Sequence, residues 1–272
     1  MARVALDKPP HVAALGATSV FVHDAKGWRE EALPKAVSAA PDLELELFYG
    51  RDYRVRLVGS HASTDGVRSV YLRSLPGGLK PAPGELGRLG NSSRGALVAV
   101  LGTADPEVVC RPGDVCLIKR VNGWTTLKAP PELSLAAVSH GSGWVVVENR
   151  VLRADREWMP LEPAGTWKEP GSLFAVGERV FVSEVSPARV HELGDGAWTV
   201  HESPVGVVAS IWGIRPEAYW IAGDAGVAYF DGREFRPVPN APAGTRRILG
   251  RSEAEVWFAA TSGLYRLTAL KL

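Results

Sequence analysis

The sequence predicts an all-β protein built from repeated units of short strands. The clearest evidence is a repeat in the last third of the chain, where Ile211-Trp212-Gly213 recurs as Ile248-Leu249-Gly250 and Trp220 recurs as Trp257. These pairs are about 37 residues apart, a period typical of repeat folds. The chain also contains 29 Gly and 20 Pro among its 272 residues, which suits a fold with many turns.

Each repeat has the pattern of a meander of four antiparallel strands. In the repeat that contains Trp220, strand-like runs near 207–214, 218–222, 227–230 and 234–238 are separated by turns rich in Gly, Asp and Pro. A single meander of this size cannot bury both of its faces, whereas several meanders stacked radially can. The sequence therefore predicts an all-β, seven-bladed β-propeller of four-stranded antiparallel blades.

The seven blades are predicted to form a single domain over residues 1–272. The approximate blade boundaries are 1–35, 42–84, 86–131, 133–164, 171–204, 206–240 and 246–272. The predicted strands of the first five blades are, in order, 2–7, 11–16, 19–23, 27–34, 43–49, 53–58, 67–73, a weak strand near 79, 96–101, 115–121, 124–128, 133–139, 144–147, 151–154, 158–161, 173–176, 179–184, 189–193 and 198–201. Residues 102–114 are expected to be a long connection, and residues 268–272 to form a short fourth strand of the last blade.

The N-terminal run at 2–7 has two possible positions. It can be the inner strand of the first blade. It can also be the outer strand of the last blade, because residues 4–9 resemble residues 125–130. Both arrangements bring the two chain ends together and close the ring without a long strand exchange.

Aromatic residues recur at two positions of the repeat. The outer strand begins with an aromatic residue in five units, at Trp28, Trp124, Trp158, Trp198 and Phe235. The second strand carries another ring in four units, at Trp144, Phe181, Trp220 and Trp257. Large rings at a fixed position fill the wedge between neighbouring blades, so we expect these side chains in the core. In particular, Trp124, Trp158 and Trp198 are predicted to be buried between blades.

The short hairpins of the form Asn/Asp-Gly-x-Trp and the Trp-Gly…Trp…Gly spacing resemble bacterial β-propeller repeats of the YCF48, BNR and kelch-like kind. This resemblance covers nearly the whole chain and implies the propeller architecture. The Ser-x-Asp-x-Gly-x-x-Trp box of the sialidase-like families is incomplete here, because residues 192–198 lack its first half. Trp-Asp dipeptides are absent from the sequence.

Composition excludes several other classes of protein. Apolar residues make up 46% of the chain, which is typical of a globular protein, and the net charge is +1. This charge offers no global attraction to nucleic acid or to an anionic membrane. No apolar run approaches the roughly 18 residues of a membrane-spanning helix. Residues 12–22 loosely mimic a signal peptide, but Asp7 and the Pro9-Pro10 pair oppose that interpretation, so a cytoplasmic location is predicted.

The two cysteines, Cys110 and Cys116, bracket a turn signal at 112–114. They could face each other across a hairpin and form a disulfide, or they could be two buried thiols. Two cysteines without a nearby pair of histidines make a zinc site improbable.

No catalytic motif stands out in the sequence. The six histidines lie in different units, where each is expected at an edge or in a loop. The inner strands begin with Ser134, Ser172, Ser210 and Arg246-Arg247, which form no recognisable acid and base set. The favoured hypothesis is therefore a non-catalytic, protein-binding propeller that acts as scaffold or adaptor, without cofactor or metal. One alternative is a channel-site lyase or hydrolase acting on a carbohydrate or lactone, and another is a glycan-binding lectin.

The least repetitive segments, 59–67, 76–93 and 103–114, indicate where a partner would bind. Links between the second and third strands and links between blades lie on one face of a propeller, so all three segments are expected there. The predicted binding residues carry both signs of charge, which suits another protein better than a nucleic acid. They are His61, Asp65, Arg68, Arg88, Arg94, Asp105, Glu107, Arg111 and Asp114. No membrane insertion is predicted, and the oligomeric state is left open.

Overall fold

The structure of the chain, a computed structural model, contains only β-strands as regular secondary structure in the residues it describes. These are residues 3–6, 12–15, 19–24, 27–34, 44–49, 55–63, 66–75, 78–81, 98–101, 106–120, 123–139, 142–176, 179–253 and 255–267. The strands divide into two compact units, Arg3–Pro131 and Glu132–Leu272. Within the described residues, no helix is long and apolar enough to span a membrane.

The first unit contains three antiparallel sheets, each with four strands in chain order. Sheet 1 consists of β1 (Arg3–Leu6), β2 (Val12–Leu15), β3 (Ser19–Asp24) and β4 (Gly27–Ala32). Sheet 2 consists of β5 (Glu44–Tyr49), β6 (Val55–Ser63), β7 (Gly66–Leu75) and β8 (Gly78–Pro81). Sheet 3 consists of β9 (Val98–Leu101), β10 (Pro106–Arg111), β11 (Val115–Arg120) and β12 (Gly123–Lys128).

The second unit contains four antiparallel sheets with the same strand order. Sheet 4 consists of β13 (Leu133–Ser139), β14 (Ser142–Val147), β15 (Arg150–Ala154) and β16 (Trp158–Pro160). Sheet 5 consists of β17 (Pro170–Val176), β18 (Arg179–Glu184), β19 (Arg189–Gly194) and β20 (Ala197–Glu202). Sheet 6 consists of β21 (Val208–Arg215), β22 (Ala218–Gly223), β23 (Gly226–Phe230) and β24 (Phe235–Pro237). Sheet 7 consists of β25 (Thr245–Ser252), β26 (Glu255–Ala260) and β27 (Gly263–Leu267).

The predicted all-β class and the four-stranded antiparallel meanders are confirmed. The described residues form six four-stranded sheets and one three-stranded sheet. The fourth strand predicted for the last blade, at 268–272, lies outside the described residues. The seven-bladed ring and the single domain over 1–272 stay predictions.

Tight turns of specific backbone geometry join the strands within a sheet. β19 and β20 are connected by only Asp195 and Gly196, whose φ angles are 53° and 76°. Positive φ at both central residues is the requirement of a two-residue type I′ hairpin, which Asp-Gly satisfies. The sequence pattern Asp-Gly before the outer strand therefore has a direct conformational cause.

Two expectations about strands are settled by the pairing. The connection predicted at 102–114 is wrong, because β10 lies inside it and pairs with both β9 and β11. β10 is thus the second strand of its sheet, and only residues 112–114 form the turn that follows it. Of the two positions considered for residues 2–7, the structure has the inner one, since β1 pairs with β2.

Both faces of sheets 5 and 6 are packed against neighbouring sheets, as a stacked arrangement requires. On β18, Val180 and Val182 pack into a cluster with residues of sheet 4, whereas Phe181 packs into a cluster with residues of sheet 6. A third cluster joins sheets 6 and 7 around Trp220 and Phe258. This alternation follows from the two-residue period of a strand, which sends successive side chains to opposite faces.

The two aromatic positions of the repeat differ in burial. The second-strand rings Trp144, Phe181 and Trp220 are buried, as predicted. The prediction that Trp124, Trp158 and Trp198 are buried is wrong, because all three are half-buried. An outer strand has a neighbouring strand on one side only, so a ring on it is covered less completely than a ring on the second strand. Trp28, also on an outer strand, is 56% exposed.

The link between sheets 4 and 5 supplies a buried ring that the repeat pattern does not show. Trp167 is 3% exposed, and its indole Nε1–H donates to the carbonyl of Glu148 at 2.9 Å. Trp198 reaches the same link, where its Nε1–H donates to the carbonyl of Pro163 at 2.7 Å. The two indole rings meet edge to face at 4.8 Å. Trp198 therefore anchors the link and also packs, half-buried, against the core cluster of sheets 4 and 5.

Candidate functional site

The first part of the candidate binding face is the hairpin of β6 and β7 in sheet 2. Among the described residues, β5 pairs with β6 as far as Ser60, and β6 pairs with β7 as far as Ser63. His61 and Arg68 are direct cross-strand partners near the end of this hairpin. The loop predicted at 59–67 is thus largely strand, and only its tip at 64–65 lies outside the described residues.

The second part is the turn between β10 and β11. The backbone N–H of Asp114 donates to the carbonyl of Arg111 at 3.0 Å, and the backbone N–H of Gly113 donates to the carbonyl of Pro130. Arg111 Nη1 also pairs with Asp114 Oδ2 at 3.2 Å. Asp114 is exposed, whereas Arg111 is only 6% exposed, so it cannot present its charge at a rim as the sequence suggested.

The structure brings together only some of the predicted binding residues. His61 and Arg68 are partners in the backbone register of β6 and β7. The side chains of Arg111 and Asp114 form an ion pair. Glu107 lies on β10. Four of the predicted residues lie outside the described part of the chain, namely Asp65, Arg88, Arg94 and Asp105.

Sheet 5 contains two networks of charged residues that sequence reasoning missed. In the first, His191 Nε2 lies 3.0 Å from Glu184 Oε2, and both side chains are buried. The other carboxylate oxygen, Glu184 Oε1, accepts a hydrogen bond from the backbone N–H of Lys168 at 3.0 Å. Trp167 packs edge to face against the imidazole at 5.5 Å. The expectation that every histidine lies at an edge or in a loop is therefore wrong for His191.

The pKa of Glu184 reflects this environment. Burial raises the pKa of the carboxyl, but the hydrogen bonds from His191 and from the Lys168 backbone, together with nearby positive charge, lower it below its ordinary value overall. The ionised carboxylate thus holds the link between sheets 4 and 5 against β18.

The second network joins three strands on the opposite face of sheet 5. Glu192 Oε1 accepts a hydrogen bond from Arg179 Nη1, and Glu192 Oε2 lies 3.2 Å from His201 Nε2. Burial raises the pKa of Glu192, but the hydrogen bonds and charges of His201 and Arg179 lower it overall. The ring of His201 packs edge to face against Phe230 of sheet 6 at 5.0 Å. Burial, with a smaller contribution from the Glu192 charge, raises the pKa of the neighbouring Tyr219 hydroxyl.

These networks are suited to holding strands together and not to acid or base catalysis. Each oxygen of Glu184 and Glu192 already accepts a hydrogen bond from a group of the fold. A general acid or base must have an oxygen or nitrogen atom within hydrogen-bond distance of the substrate proton that it transfers. The described residues also include no group of three or more His, Cys, Asp or Glu side chains arranged to hold a metal ion.

We expect the lowered pKa of Glu192 to make folding sensitive to acid. A carboxyl with a lower pKa in the folded state stabilises the protein above its unfolded pKa of about 4.3, and this contribution is lost as the pH falls through the folded pKa. Glu192→Gln should lower the free energy of unfolding at pH 7 by about 1.5–3 kcal/mol and flatten its decline as the pH falls below the unfolded pKa of about 4.3. Urea titrations at several pH values measure both effects.

The matched control for this prediction is Glu202→Gln. Glu202 is exposed and pairs with Arg189 at 2.7 Å, so its loss should change stability by less than about 1 kcal/mol. Equal pH profiles for the two variants would contradict a role of the buried network in acid sensitivity.

Serine side chains connect neighbouring sheets near bulges in the first strands. The register of each first strand in the second unit shifts by one residue near its start, at Ser134, Gly171, Ala209 and Arg246. At such a bulge, backbone N–H and C=O groups of the strand lose their hydrogen-bond partners on the neighbouring strand. Ser183 Oγ donates to the carbonyl of Val208 at 3.3 Å, and Ser210 Oγ accepts from the backbone N–H of Ile248 at 3.1 Å. Ser210 is therefore a buried connection between sheets 6 and 7 and not a channel-lining group.

We expect Ser210→Ala to destabilise the protein by about 1–3 kcal/mol, because a buried backbone N–H loses its acceptor. The matched control is the exposed Ser134, whose hydroxyl donates a long hydrogen bond of 3.4 Å to the carbonyl of Val146. Thermal unfolding followed by circular dichroism compares the two variants. A loss for Ser134→Ala as large as that for Ser210→Ala would show that the inter-sheet bond is not responsible.

Comparison with solved structures identifies the fold. The chain is similar to YCF48 from Cyanidioschyzon merolae, with a TM-score of 0.64 and 14% identity over 98% of this chain and 95% of the other. It is similar to YCF48 bound to a D1 peptide, with a TM-score of 0.67 and 12% identity over 99% and 92%. It is also similar to the WD40 β-propeller domain of Doa1, with a TM-score of 0.63 and 11% identity over 97% and 90%.

These likenesses show that the chain has the fold of the β-propeller proteins, as the resemblance of its repeats implied. No protein-family model matches the chain, and no curated protein sequence matches it.

Proposed function

We propose that the chain is a non-catalytic, protein-binding β-propeller in which seven four-stranded blades close into one ring, acting as scaffold or adaptor. Its binding face contains the end of the β6–β7 hairpin, the β10–β11 turn and the segment 76–93, in which β8 occupies Gly78–Pro81. The residues proposed to contact the partner are His61, Asp65, Arg68, Arg88, Arg94, Asp105, Glu107 and Asp114. Arg111 supports this face by fixing Asp114.

The observation that carries this proposal is the composition of the first strands. An enzyme built on a propeller places acids, bases or metal ligands on these strands around the axis. The described first strands contain no Asp, His or Cys, and Glu44 and Glu46 on β5 are the only acidic residues in them. The ionised carboxylates Glu184 and Glu192 lie instead on the second and third strands of sheet 5, where they bind groups of the fold.

Two further observations support binding of a protein. The YCF48 propeller, which has a similar fold, is known bound to a D1 peptide. In this chain, the β6–β7 hairpin has His61 and Arg68 as cross-strand partners, and the β10–β11 turn carries the exposed Asp114. Both are links between second and third strands of consecutive sheets, so we expect them at the same end of the first unit. Mixed charge on such a surface favours a specific protein partner over a polyanion.

A capture experiment with two matched variants tests the proposal. Immobilised wild-type protein is compared in native lysate with His61→Ala/Arg68→Ala and with Arg215→Ala/Glu253→Ala. Arg215 and Glu253 form an ion pair between the turns that join the first and second strands of sheets 6 and 7, at the end of the strands opposite the second-to-third links, so this pair serves as the control. Captured proteins are quantified by mass spectrometry after equal thermal stability of the three forms has been established.

We expect a partner that the wild type and the control retain and that His61→Ala/Arg68→Ala loses at least about tenfold, equivalent to about 1.4 kcal/mol of binding free energy. A captured set that is identical for all three forms would refute the proposed face. Replacement of 82–93 by a short Gly/Ser link, which leaves β8 in place, provides a second test of the same face.

A further inference from the structure

The two cysteines of the chain are direct neighbours across the β10–β11 hairpin. Cys110 and Cys116 are register partners, and their Cα atoms are 4.0 Å apart. Their sulfur atoms are joined as a disulfide, so neither cysteine is free. Since the sequence contains 2 Cys, this hairpin accounts for all of them.

The bond lies in the interior of sheet 3. Cys110 and Cys116 are both 0% exposed, and so are Val108 and Ile118 on the same two strands. Exchange of a disulfide requires a thiolate to reach one of its sulfur atoms. Burial therefore protects this bond from soluble thiols as long as sheet 3 stays folded.

The surroundings exclude the other common roles of paired cysteines. A reactive thiol needs solvent access and an electropositive setting, whereas these sulfur atoms are sealed from solvent. A structural zinc site needs four ligands, and the part of the chain that the structure describes has no suitable group of three or more. A covalent crosslink is the role that remains for the pair.

We infer that the chain folds in an oxidising compartment, where the Cys110–Cys116 bond forms as a structural crosslink. In this reaction the two thiols lose two protons and two electrons to the disulfide of a thiol–disulfide oxidoreductase, which is reduced to a dithiol. Disulfides persist in oxidising compartments, whereas cytosolic thiol systems keep such pairs reduced. This inference is independent of the proposed function and opposes the cytoplasmic location predicted from the sequence.

The redox state of the protein in its own cells tests the inference directly. Cells are quenched in acid, the protein is denatured, and free thiols are labelled with a polyethylene-glycol maleimide before gel electrophoresis and immunodetection. We expect no label without prior reduction and two labels after it. Two labels without reduction would show that the pair is a dithiol in the cell and would overturn the inference.

The structural role is tested on the purified chain. Wild type that is reduced in denaturant and refolded in reductant should melt about 5–8 °C below the oxidised wild type, because a short covalent loop constrains the unfolded chain. Cys110→Ala/Cys116→Ala is the control, since reductant should leave its melting temperature unchanged. Equal melting temperatures for oxidised and reduced wild type would contradict a stabilising crosslink, whether or not the double variant folds.

Discussion

Replacement of Trp220 by alanine is expected to lower the free energy of unfolding by about 3–5 kcal/mol, because it leaves a large cavity between sheets 6 and 7. Trp220 is 0% exposed and belongs to the cluster that joins these sheets. Its ring lies 4.6 Å from that of Tyr229 and 5.4 Å from that of Trp212, measured between centroids. Urea unfolding followed by tryptophan fluorescence and circular dichroism measures the loss.

Trp28→Ala is the matched control for Trp220→Ala. The same change of side chain then takes place on the outer strand β4, where the ring is 56% exposed. We expect a loss below about 1 kcal/mol, as for other exposed positions. Equal losses for the two variants would show that burial does not govern the contribution of these rings.

Gly223→Ala should destabilise the protein by about 3 kcal/mol, at the upper end of the range for overpacking. A Cβ atom at Gly223 would lie 2.2 Å from the carbonyl oxygen of Val207 and 2.7 Å from that of Val205. Both oxygens belong to the backbone of the link between sheets 5 and 6, so the clash cannot be relieved by a side-chain rotation. The melting temperature and the urea midpoint should both fall.

Gly194→Ala separates this clash from the general cost of replacing glycine in a strand. The nearest atom to a Cβ at Gly194 is Arg179 Nε at 3.3 Å, in a flexible side chain that can move. We expect a change of less than about 1 kcal/mol for Gly194→Ala. A Gly223→Ala protein as stable as Gly194→Ala would mean that the link does not pack on Gly223 as the structure shows.

The regular part of the fold could be predicted because strand and turn chemistry repeats. The runs around Trp220 and Trp257 and the Asp195-Gly196 hairpin are local signals, and the structure has strands and a turn at these positions. β10 was missed because its sequence, Pro-Glu-Val-Val-Cys-Arg, follows a polar segment and has no aromatic residue. Its strand character comes from pairing with both β9 and β11, which a local pattern does not record.

The polar networks could not be predicted because their members are on different strands. Glu184 and His191 approach each other only because of the register of β18 and β19. Glu192 likewise meets Arg179 and His201 through pairing on both sides of β19. The histidine spacing in the sequence contains no sign of these partners. The candidate binding residues remain a prediction, supported by the register of His61 with Arg68 and by the ion pair of Arg111 with Asp114.

The serine bonds between sheets affect how a chain of this kind can gain or lose repeats during evolution. Sheet 6 receives a hydrogen bond from Ser183 at the carbonyl of Val208 and offers Ser210 to the backbone N–H of Ile248. The first strand of sheet 5 has Ser172 directly after its own register shift, as Ser210 follows the shift of β21. A tandem copy of the whole repeat would likewise carry its own bulge and its own serine. Gain or loss of a complete repeat therefore keeps a serine at the new interface.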